Sequence, residues 1–410
     1  MSQPSASGSV VIDDALARPV GAIGSVSGAM GSVSVETIAD EERMLALRGE
    51  WTALLGRSDA DGVFLTWEWL STWWRHLGRG RRLHLVAVRE RRELIALAPL
   101  AATPGRRASL APLSSLAFLG SGSVGSDYLD VIVARGREAE ALDGLAAGLD
   151  RQTLSLVLGQ LDRGTSAARE LARRLGRRGW RCTERATDVC PFIPLAGLTW
   201  DSYLASVSGH HRSNVRRRLA NLHRAFDVRF EPVATEAERT LALVLFLDLH
   251  ARRWQGRGGS SAFYSSELRQ FHDAWTTIAL ARGWLRLFLM HLDGKPVGAL
   301  YAYRYRHTFG FYQIGFDPEY GRHGIGQVMV GLAIARAIDE GAAEFDFLHG
   351  DEPYKFDWTR RVRELGRVDA YPPSVRGRVH RGLQAVDGHA RRLVRHALTA
   401  GRAASGSART

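Results

Sequence analysis

A polar segment in the last quarter of the chain carries the side chains best suited to acid–base chemistry. It reads EFDFLHGDEPYK and contributes Asp346, His349, Asp351, Tyr354 and Lys355. Carboxylate, imidazole, phenol and ammonium groups are those that transfer protons in enzyme active sites. Structural roles compete with this interpretation, because Asp351 could cap a short helix beginning at Pro353, and Lys355 could pair with Asp346 or Asp351. On the sequence alone both interpretations stay open.

A glycine-containing turn upstream of this segment suits a phosphate ligand. The turn GRHGIG (Gly321–Gly326) follows a predicted strand and leads into the helical pattern QVMVGLAIARAIDEG. The first turn of a helix has backbone N–H groups without intrahelical partners, and the helix dipole favours an anion there. Gly324 and Gly326 allow the backbone to approach such an anion closely. The turn is therefore a candidate pyrophosphate site, although any tight strand-to-helix turn can use glycine.

The elements around the turn predict a mixed sheet. The runs RLFLMHL and GALYAYRY flank Asp293–Pro296, whose residue types are typical of a hairpin turn. Thr308–Phe316 predicts a third adjacent strand, and Glu344–Gly350 predicts a fourth. Because a helix connects the third strand to the fourth, a right-handed crossover should make these two strands parallel.

The first half of the chain predicts a second α/β unit. Strand-like runs at Leu83–Glu90 and Glu93–Thr103 are joined by a tight turn, and strand-like and helical runs alternate from there to Phe192. The aromatic segment Phe64–Trp74 predicts a helix that either faces the core or forms an aromatic wall of a substrate cleft. The run GSGSVGS (Gly120–Ser126) lies between strands, so we interpret it as a flexible turn rather than a phosphate site.

Length and composition bound the organisation of the chain. Its 410 residues predict two domains, 35–195 and 196–371, between a disordered leader 1–34 and a basic helical tail 372–410. The tail leaves two alternatives, packing on its own protein or contact with an anionic surface. No run approaches the roughly 20 apolar residues of a transmembrane helix, and the N-terminus lacks the pattern of a signal peptide. The two cysteines have no zinc-site spacing, so we expect a cytoplasmic protein without a metal.

The formal net charge of +12 is compatible with an anionic partner, such as nucleic acid, a phosphorylated cofactor or a membrane surface. The strongest basic patch is the predicted helix Gly209–Arg224, in which an apolar stripe should dock on the protein body. Its arginines are either solvated or in contact with phosphates of a nucleotide cofactor or of RNA.

The glycine turn and the polar segment resemble two known patterns. The order of meander, turn, helix and parallel strand resembles the GCN5-related N-acetyltransferase (GNAT) fold, whose Arg/Gln-x-x-Gly-x-Gly/Ala motif binds the acyl-CoA pyrophosphate. Gly324 and Gly326 match its glycines, whereas Gly321 holds the first position and Arg322 is displaced by one.

The segment Phe345–Lys355 resembles the Phe-Asp-x-x-x-Gly-Asp-x-Pro-Tyr-Lys signature of BioF2-like or CelD-type acetyltransferases. Fem-type peptidyltransferases, built from two GNAT-like units, are similar to the two halves.

This resemblance implies a mixed α/β fold with two tandem GNAT-like acyl-CoA acyltransferase units. It implies transfer of an acyl group from acetyl-CoA or another acyl-CoA to a small amine or amino sugar, in exopolysaccharide, cellulose or cell-envelope metabolism. Asp351 or His349 would be the base and Tyr354 the acid, among the catalytic candidates His349, Asp351, Tyr354, Lys355 and Asp346.

The resemblance also implies binding residues. The cofactor candidates are a strand segment, whose main chain would polarise the thioester carbonyl, and the glycine turn: Gln313, Ile314, Gly315, Arg322, His323, Gly324, Ile325, Gly326 and Gln327. The acceptor candidates are Trp69, Arg212, Arg216, Tyr312 and Trp358.

Two other functions stay open. The basic helix Gly209–Arg224 suits a Fem-like peptidyltransferase that uses aminoacyl-tRNA, and tRNA is a partner only under this alternative. A non-catalytic GNAT-like binding protein is the third.

Overall fold

The computed structural model describes residues 24–26, 33–104, 113–255 and 263–386. The first half contains strands β1 (Gly24–Val26), β2 (Val33–Ile38), β3 (Arg82–Glu90), β4 (Glu93–Thr103), β5 (Ser115–Phe118), β6 (Ile132–Val133), β7 (Ser155–Asp162) and β8 (Arg181–Pro194). Its helices are α1 (Glu41–Ala46), α2 (Arg48–Gly56), α3 (Trp67–Leu77), α4 (Glu138–Asp150) and α5 (Ala167–Arg177).

The second half contains helices α6 (Trp200–Ser206), α7 (Gly209–Ala225), α8 (Glu236–Trp254), α9 (Ser266–Ala281) and α10 (Ile325–Asp339). Its strands are β9 (Val228–Pro232), β10 (Leu285–Leu292), β11 (Lys295–Tyr305), β12 (Thr308–Phe316), β13 (Glu344–Asp346) and β14 (Val362–Tyr371). Short 3₁₀ helices occupy Val63–Leu65, Pro318–His323 and Pro353–Asp357, and a further helix spans 375–386.

The two halves repeat one order of elements. In each, a strand and a group of helices precede three antiparallel strands, a helix, and a strand parallel to the last of the three. These parallel pairs are β5 with β7 and β12 with β13. The mixed α/β fold predicted from the sequence, with two tandem units, is confirmed.

One mixed sheet joins the two units. The described strands follow the order β1-β2-β3-β4-β5-β7-β14-β8-β13-β12-β11-β10-β9, with β6 paired to β4 beside this path. Strand β8 links the halves, because Arg181–Pro191 pairs with β14 whereas Phe192–Pro194 pairs with β13. Strand β14 comes last in sequence yet also pairs with β7 of the first unit. The chain therefore returns to its first half after completing the second.

The local geometry of the second unit follows the sequence prediction. Asp293 and Gly294 both have positive φ, at 51° and 79°, as a two-residue hairpin turn requires. Strands β12 and β13 pair in parallel only from Thr308–Glu344 to Gly310–Asp346. Beyond these residues the pairing ends, and residues that follow it on each side, among them Tyr312 and Phe347, line an open slot.

Buried residues form two cores around the second-unit sheet. One packs α10 on the sheet through residues such as Met329, Phe311 and Phe345. The other contains side chains from α3, α8 and α9 and continues into the first unit. In it the rings of Trp69 and Trp275 lie edge to face, with centroids 4.8 Å apart. This second core holds the halves together, so side chains from both can meet beside the slot.

The described parts of the two chain ends form regular secondary structure. Gly24–Val26 pairs with Val33–Val35, so this part of the predicted leader is a strand and not disordered. Helix 375–386 packs on the protein, where His380 Nδ1 lies 3.0 Å from Ser155 Oγ. Residues 1–23, 27–32 and 387–410, on which the other predictions for the leader and tail fall, lie outside the described residues. Across the described ranges, no helix is long and apolar enough to cross a membrane.

Candidate active site

An imidazole and a buried carboxylate from different halves of the chain meet at the slot. His349 Nδ1 lies 2.9 Å from Asp127 Oδ1 and 3.0 Å from Oδ2, and the His349 backbone N–H donates to Oδ2 at 2.9 Å. The Asp127 side chain is fully buried, whereas 41% of the His349 side chain is exposed. The hydrogen bond to Asp127 raises the pKa of His349. This carboxylate orients the ring and leaves Nε2 for a reacting group, as a general base requires.

Asp127 is held in place by the loop Gly120–Tyr128 and by β7. Gln160 Nε2 donates to Asp127 Oδ1 at 3.0 Å. The neighbouring Ser126 accepts a hydrogen bond from the buried indole of Trp69, with 2.9 Å between Nε1 and Oγ. A carboxylate with two protein donors beside the imidazole cannot rotate freely, so Asp127 is preorganised for its partner.

The glycine run interpreted as a flexible turn forms a wall of the site. Gly125 has φ of 70°, and an added Cβ would lie 3.5 Å from the Tyr312 hydroxyl and 3.7 Å from His349 Cε1. The Tyr312 hydroxyl donates to the Val124 carbonyl. These are ordinary contact distances, so glycine at position 125 serves the left-handed backbone.

Three non-glycine residues with positive φ surround the His349–Asp127 pair. They are Tyr128 at 54°, Gln160 at 60° and Leu348 at 56°. Such conformations cost free energy and persist only where the surrounding structure determines them, which is common at functional sites. Their clustering supports a functional role for this part of the structure.

Lys355 clamps the turn that carries His349. Its buried ammonium donates to the carbonyls of Leu348, His349 and Gly350, at 3.3, 2.8 and 3.5 Å. It also lies 2.9 Å from the Glu352 carboxylate. These bonds engage the ammonium within the protein, so we infer that Lys355 positions His349.

Two structural alternatives raised by the sequence are wrong. Lys355 pairs with Glu352 rather than with Asp346 or Asp351. The 3₁₀ helix that begins at Pro353 has Glu352 at its N-cap position and no side-chain capping bond, so Asp351 does not cap it. Asp351 is exposed and lines none of the cavities beside the slot.

Asp346 lies behind the site and not in it. Its carboxylate accepts hydrogen bonds from the Tyr128 hydroxyl and the Leu348 N–H, both at 2.7 Å, and from Arg363 Nη1 at 3.3 Å. Burial raises the pKa of Asp346 to about 7. It lines a further acidic cavity between the halves, whose lining also includes Asp127. Asp346 therefore supports the backbone next to His349 from the opposite side.

His349 faces a polar cavity of about 690 Å³ between the two units. The second unit contributes residues of the slot to its lining, among them Tyr312, Gln313, Ile314, Tyr354 and Lys355. The first unit contributes Ser121, Gly122, Ser123, Gly159, Gln160, Arg185, Thr187 and Asp188, and strand β14 of the second half contributes Arg367. This volume is in the range of small-molecule sites. We call it the acceptor cavity.

A second cavity, of about 340 Å³, begins at the glycine turn. Its lining includes the first turn of α10 and one face of α7: Gly326, Gln327, Asn214 and Arg218. Gly324 has φ of 70°, and an added Cβ would overlap the Arg218 side chain, whereas one at Gly326 would lie 2.9 Å from the Phe316 ring. The unpaired N–H groups of this helix start, backed by Arg218, fit a pyrophosphate. We call it the cofactor groove.

The groove and the acceptor cavity meet at Arg253, Ile314 and Tyr354, which line both. Arg253 Nη1 donates to the Ile314 carbonyl at 2.8 Å, and the guanidinium lies 5.0 Å from the centre of the Phe316 ring. Burial raises the pKa of Tyr354. Its phenol therefore keeps its proton at neutral pH and can serve as an acid at this junction.

Several predicted cofactor residues lie outside the groove. Arg322 is exposed, and its Nε donates to His323 Nε2 at 3.1 Å instead of pointing into the groove. Gly315 packs against the main chain of His250. Ile325 is buried in the core beneath α10. Of the predicted strand and turn segments, the cavities are lined by Gln313, Ile314, Gly326 and Gln327.

The predicted acceptor residues separate into two groups. Tyr312 lines the acceptor cavity, and Trp358 is buried at the side of the cofactor groove. Trp69 is fully buried in the core, where its indole N–H donates to Ser126 and its ring lies edge to face with that of Tyr312. The other two project from α7 away from both cavities: Arg212 Nη1 donates to the Ala205 carbonyl at 3.1 Å, and Arg216 pairs with exposed Asp201.

Sequence reasoning missed Asp127, Asn214 and Arg253, whereas Arg218 belongs to the basic helix whose arginines were a candidate phosphate contact. Of the missed residues, only Asp127 had a signal in the local sequence, because it is an acidic residue directly after the glycine run. In the structure Asp127 is fully buried. The described residues contain no group of three or more His, Cys, Asp and Glu side chains that could hold a metal ion.

The repeated strand order, the separated parallel strands and the glycine turn before α10 define a GNAT-type α/β fold in two tandem units. Within it, residues 209–356 match the family model described as Acetyltransferase (GNAT) domain. A comparison with curated protein sequences found no match.

Solved structures show the same fold. FemX is 13% identical, with a TM-score of 0.58 over 82% of this chain and 96% of that chain. A conserved protein of unknown function from Bacteroides thetaiotaomicron is 15% identical, with a TM-score of 0.54 over 82% of this chain and 99% of that chain. At these identities the similarity concerns the fold alone.

Proposed function

We propose that this protein is an acyl-CoA-dependent N-acyltransferase, most simply an acetyltransferase, acting on a small amine or amino sugar. One observation carries the proposal: His349, bonded to the buried Asp127, lines the acceptor cavity, which meets a groove suited to a pyrophosphate. The segment Phe345–Lys355 supports a BioF2-like or CelD-type enzyme of exopolysaccharide, cellulose or cell-envelope metabolism.

The residues of the site account for the proton transfers of such a reaction. Acyl-CoA supplies an activated acyl thioester. His349 Nε2 takes the proton of the acceptor amine as its nitrogen bonds to the acyl carbon, and Asp127 stabilises the imidazolium that results. The carbon–sulfur bond breaks, the Tyr354 hydroxyl provides a proton for the departing sulfur, and the proton held by His349 returns to the Tyr354 phenolate through solvent. The N–H groups at the start of α10, with Arg218 and Asn214, would hold the pyrophosphate.

Binding of the cofactor should depend on Arg218 and not on Arg322. We expect Arg218→Ala to weaken acetyl-CoA binding by about tenfold to a hundredfold, the usual worth of charge-assisted hydrogen bonds. Arg322→Ala should change the affinity by less than about threefold, because exposed charges contribute little. Isothermal titration calorimetry of both variants measures the difference. A larger loss for Arg322→Ala would place the pyrophosphate on the outer side of the turn.

The function itself is tested by binding and turnover. We expect acetyl-CoA, or a longer acyl-CoA, to raise the melting temperature of the protein and to release free CoA when an amine is added. Thiol release across a panel of amines and amino sugars measures the reaction. Absence of binding by every acyl-CoA tested would refute the proposal, and binding without turnover would indicate a non-catalytic GNAT-like protein.

The aminoacyl-tRNA alternative has one observation in its favour. Arg216, Arg217 and Arg224 leave an exposed basic face on α7, the helix that lines the cofactor groove. A peptidyltransferase would bind tRNA with strong salt dependence and would have no affinity for CoA. The calorimetry described above distinguishes the two functions directly.

A further inference from the structure

Two arginines from neighbouring strands line the acceptor cavity at a distance from His349. Arg185 of β8 and Arg367 of β14 are directly opposed partners in the antiparallel pairing of these strands. Both line the acceptor cavity, and neither lines the cofactor groove. Like charges directly opposite each other in a sheet repel. A bound anion between them would remove this repulsion.

The two arginines differ in the partners that they have. Arg367 pairs with Asp369 on its own strand, 2.6 Å from Nη2 to Oδ1, so its charge is largely compensated. The exposed Arg185 guanidinium forms no hydrogen bond or ion pair within the described residues. The hydroxyl groups of Ser121 and Thr187 line the same cavity. Arg185 is therefore the available cation, in a polar setting suited to an anion.

The opposite end of the acceptor cavity favours a cation. His349 is bonded to the Asp127 carboxylate, and the charge of Asp188 contributes to the raised pKa of His349. Strand β8 fixes the separation of the two ends, because the Val189 carbonyl accepts from the Gly350 N–H at 2.9 Å. Arg185 lies four residues before Val189, about 13 Å along the strand at ~3.3 Å per residue. An ammonium and an anion several bonds apart would satisfy both ends.

We propose that the acceptor is an amine that also carries a carboxylate or phosphate group, recognised by Arg185 with support from Arg367. This inference rests on the proposed function, since it takes His349 as the point where the amine reacts. The separation of the charged ends suits an amino-sugar phosphate or an ω-amino acid better than an α-amino acid, whose charged groups share one carbon.

Matched pairs of acceptors test the inference with the full-length protein and acetyl-CoA. Suitable pairs are glucosamine 6-phosphate with glucosamine, and 6-aminohexanoate with hexylamine. We expect the anionic member to have a kcat/KM about tenfold to a hundredfold higher, the usual effect of one charge-assisted contact. Arg185→Gln should remove this preference by raising KM for the anionic acceptor. Arg185→Gln should leave kcat, the KM for acetyl-CoA and the KM for the neutral acceptor unchanged. Arg185→Lys should restore part of the preference for the anionic acceptor.

Arg181→Gln is the matched control, because Arg181 is an exposed arginine of the same strand that lines neither cavity. Equal use of charged and neutral acceptors, with no effect of Arg185→Gln, would overturn the inference and leave acyl transfer intact.

A second readout is the thermal shift with glucosamine 6-phosphate alone. If no amine is acylated but this shift requires Arg185, the anion site stands and the proposed reaction falls. Competition at Arg185 by tRNA but not by inorganic phosphate would assign the arginine to RNA and overturn the inference.

Discussion

Asp127→Asn should lower kcat by about a hundredfold to a thousandfold while the affinity for acetyl-CoA stays within about twofold, since general base catalysis contributes 10²–10⁴-fold. Asparagine keeps the size of Asp127 and can still accept from Gln160. Its amide, however, can donate to His349 Nδ1 and so favour the tautomer with the proton on Nε2, where the base must accept one. The neutral amide also leaves the imidazolium without a counter-charge. His349→Asn should show a loss of the same size. Steady-state kinetics with the best amine of the panel measures both variants.

The pH dependence of the reaction gives a second signature of the same pair. His349 acts as a base only when it is neutral, so kcat/KM should rise with pH as the ring loses its proton. The hydrogen bond to Asp127 raises the pKa of His349 above 6.5. The rising limb of the kcat/KM profile should therefore lie above pH 6.5 in the native protein. In Asp127→Asn it should move to lower pH, and the plateau of kcat/KM should also be lower.

Asp351→Asn is the control for this pair, because Asp351 is an exposed carboxylate of the same segment outside both cavities. Its kcat should stay within about twofold of the native value, since an exposed side chain away from the cavities contributes little. If Asp351→Asn abolished activity and Asp127→Asn did not, the base would be the carboxylate that the sequence suggested. The His349–Asp127 pair would then be structural.

The second-unit fold was predictable because its signals are local. Turn residues at Asp293 and Gly294, a glycine at Gly324 that adopts positive φ, and apolar runs of strand length each specify nearby backbone. The length and the helical character of the connection between β12 and β13 were enough to predict their parallel pairing. The path of β14 back to the first unit has no such signal, because strand pairing across the whole chain is not encoded in a local pattern.

Only the part of the candidate site that the second unit contributes was predictable from the sequence. The segment with His349 carries a recognisable combination of residues, whereas its partner Asp127 lies 222 residues away in sequence. Arg322 is adjacent to the glycine turn in sequence, but the 3₁₀ helix Pro318–His323 leaves it exposed to solvent. Arg218, from a helix more than a hundred residues upstream, lies against Gly324 instead. Sequence proximity was a poor guide to the groove because two separate helices form it.

The aromatic segment Phe64–Trp74 shows how a correct pattern can leave the role undecided. Phe64 and Leu65 lie in a 3₁₀ helix, and the residues from Trp67 onward form α3; both a core and a cleft wall fit the spacing. The structure places Trp69 in the core, with its indole N–H on Ser126 beside Asp127. Its influence on the site is indirect, through the position of a loop that the sequence did not connect with it.

Lys355→Met should lower kcat by about tenfold to a hundredfold, since displacement of a reacting group by about an ångström has effects of this size. Methionine fills a similar volume but donates no hydrogen bond, so the carbonyls of Leu348, His349 and Gly350 lose their common donor. Leu348 has φ of 56° and Gly350 has φ of 123°, and an unsupported turn of this kind should relax. The free energy of unfolding should fall by about 2–3 kcal/mol, the worth of hydrogen bonds to a buried charge. Steady-state kinetics and urea denaturation measure the two effects.

Glu352→Gln distinguishes the hydrogen bonds that Lys355 donates to three carbonyls from its ion pair with Glu352. It removes the charge opposite Lys355 but leaves the ammonium on its three carbonyls, so kcat should stay within about threefold and stability within about 1 kcal/mol for this half-exposed partner. The positive charge of Lys355 also lowers the pKa of His349. Removal of this charge in Lys355→Met should therefore move the rising limb of the kcat/KM profile to higher pH. This shift is opposite to the one expected for Asp127→Asn. If Lys355→Met lost stability with an unchanged kcat and an unmoved limb, Lys355 would support only the fold, and the turn would hold His349 by its own packing.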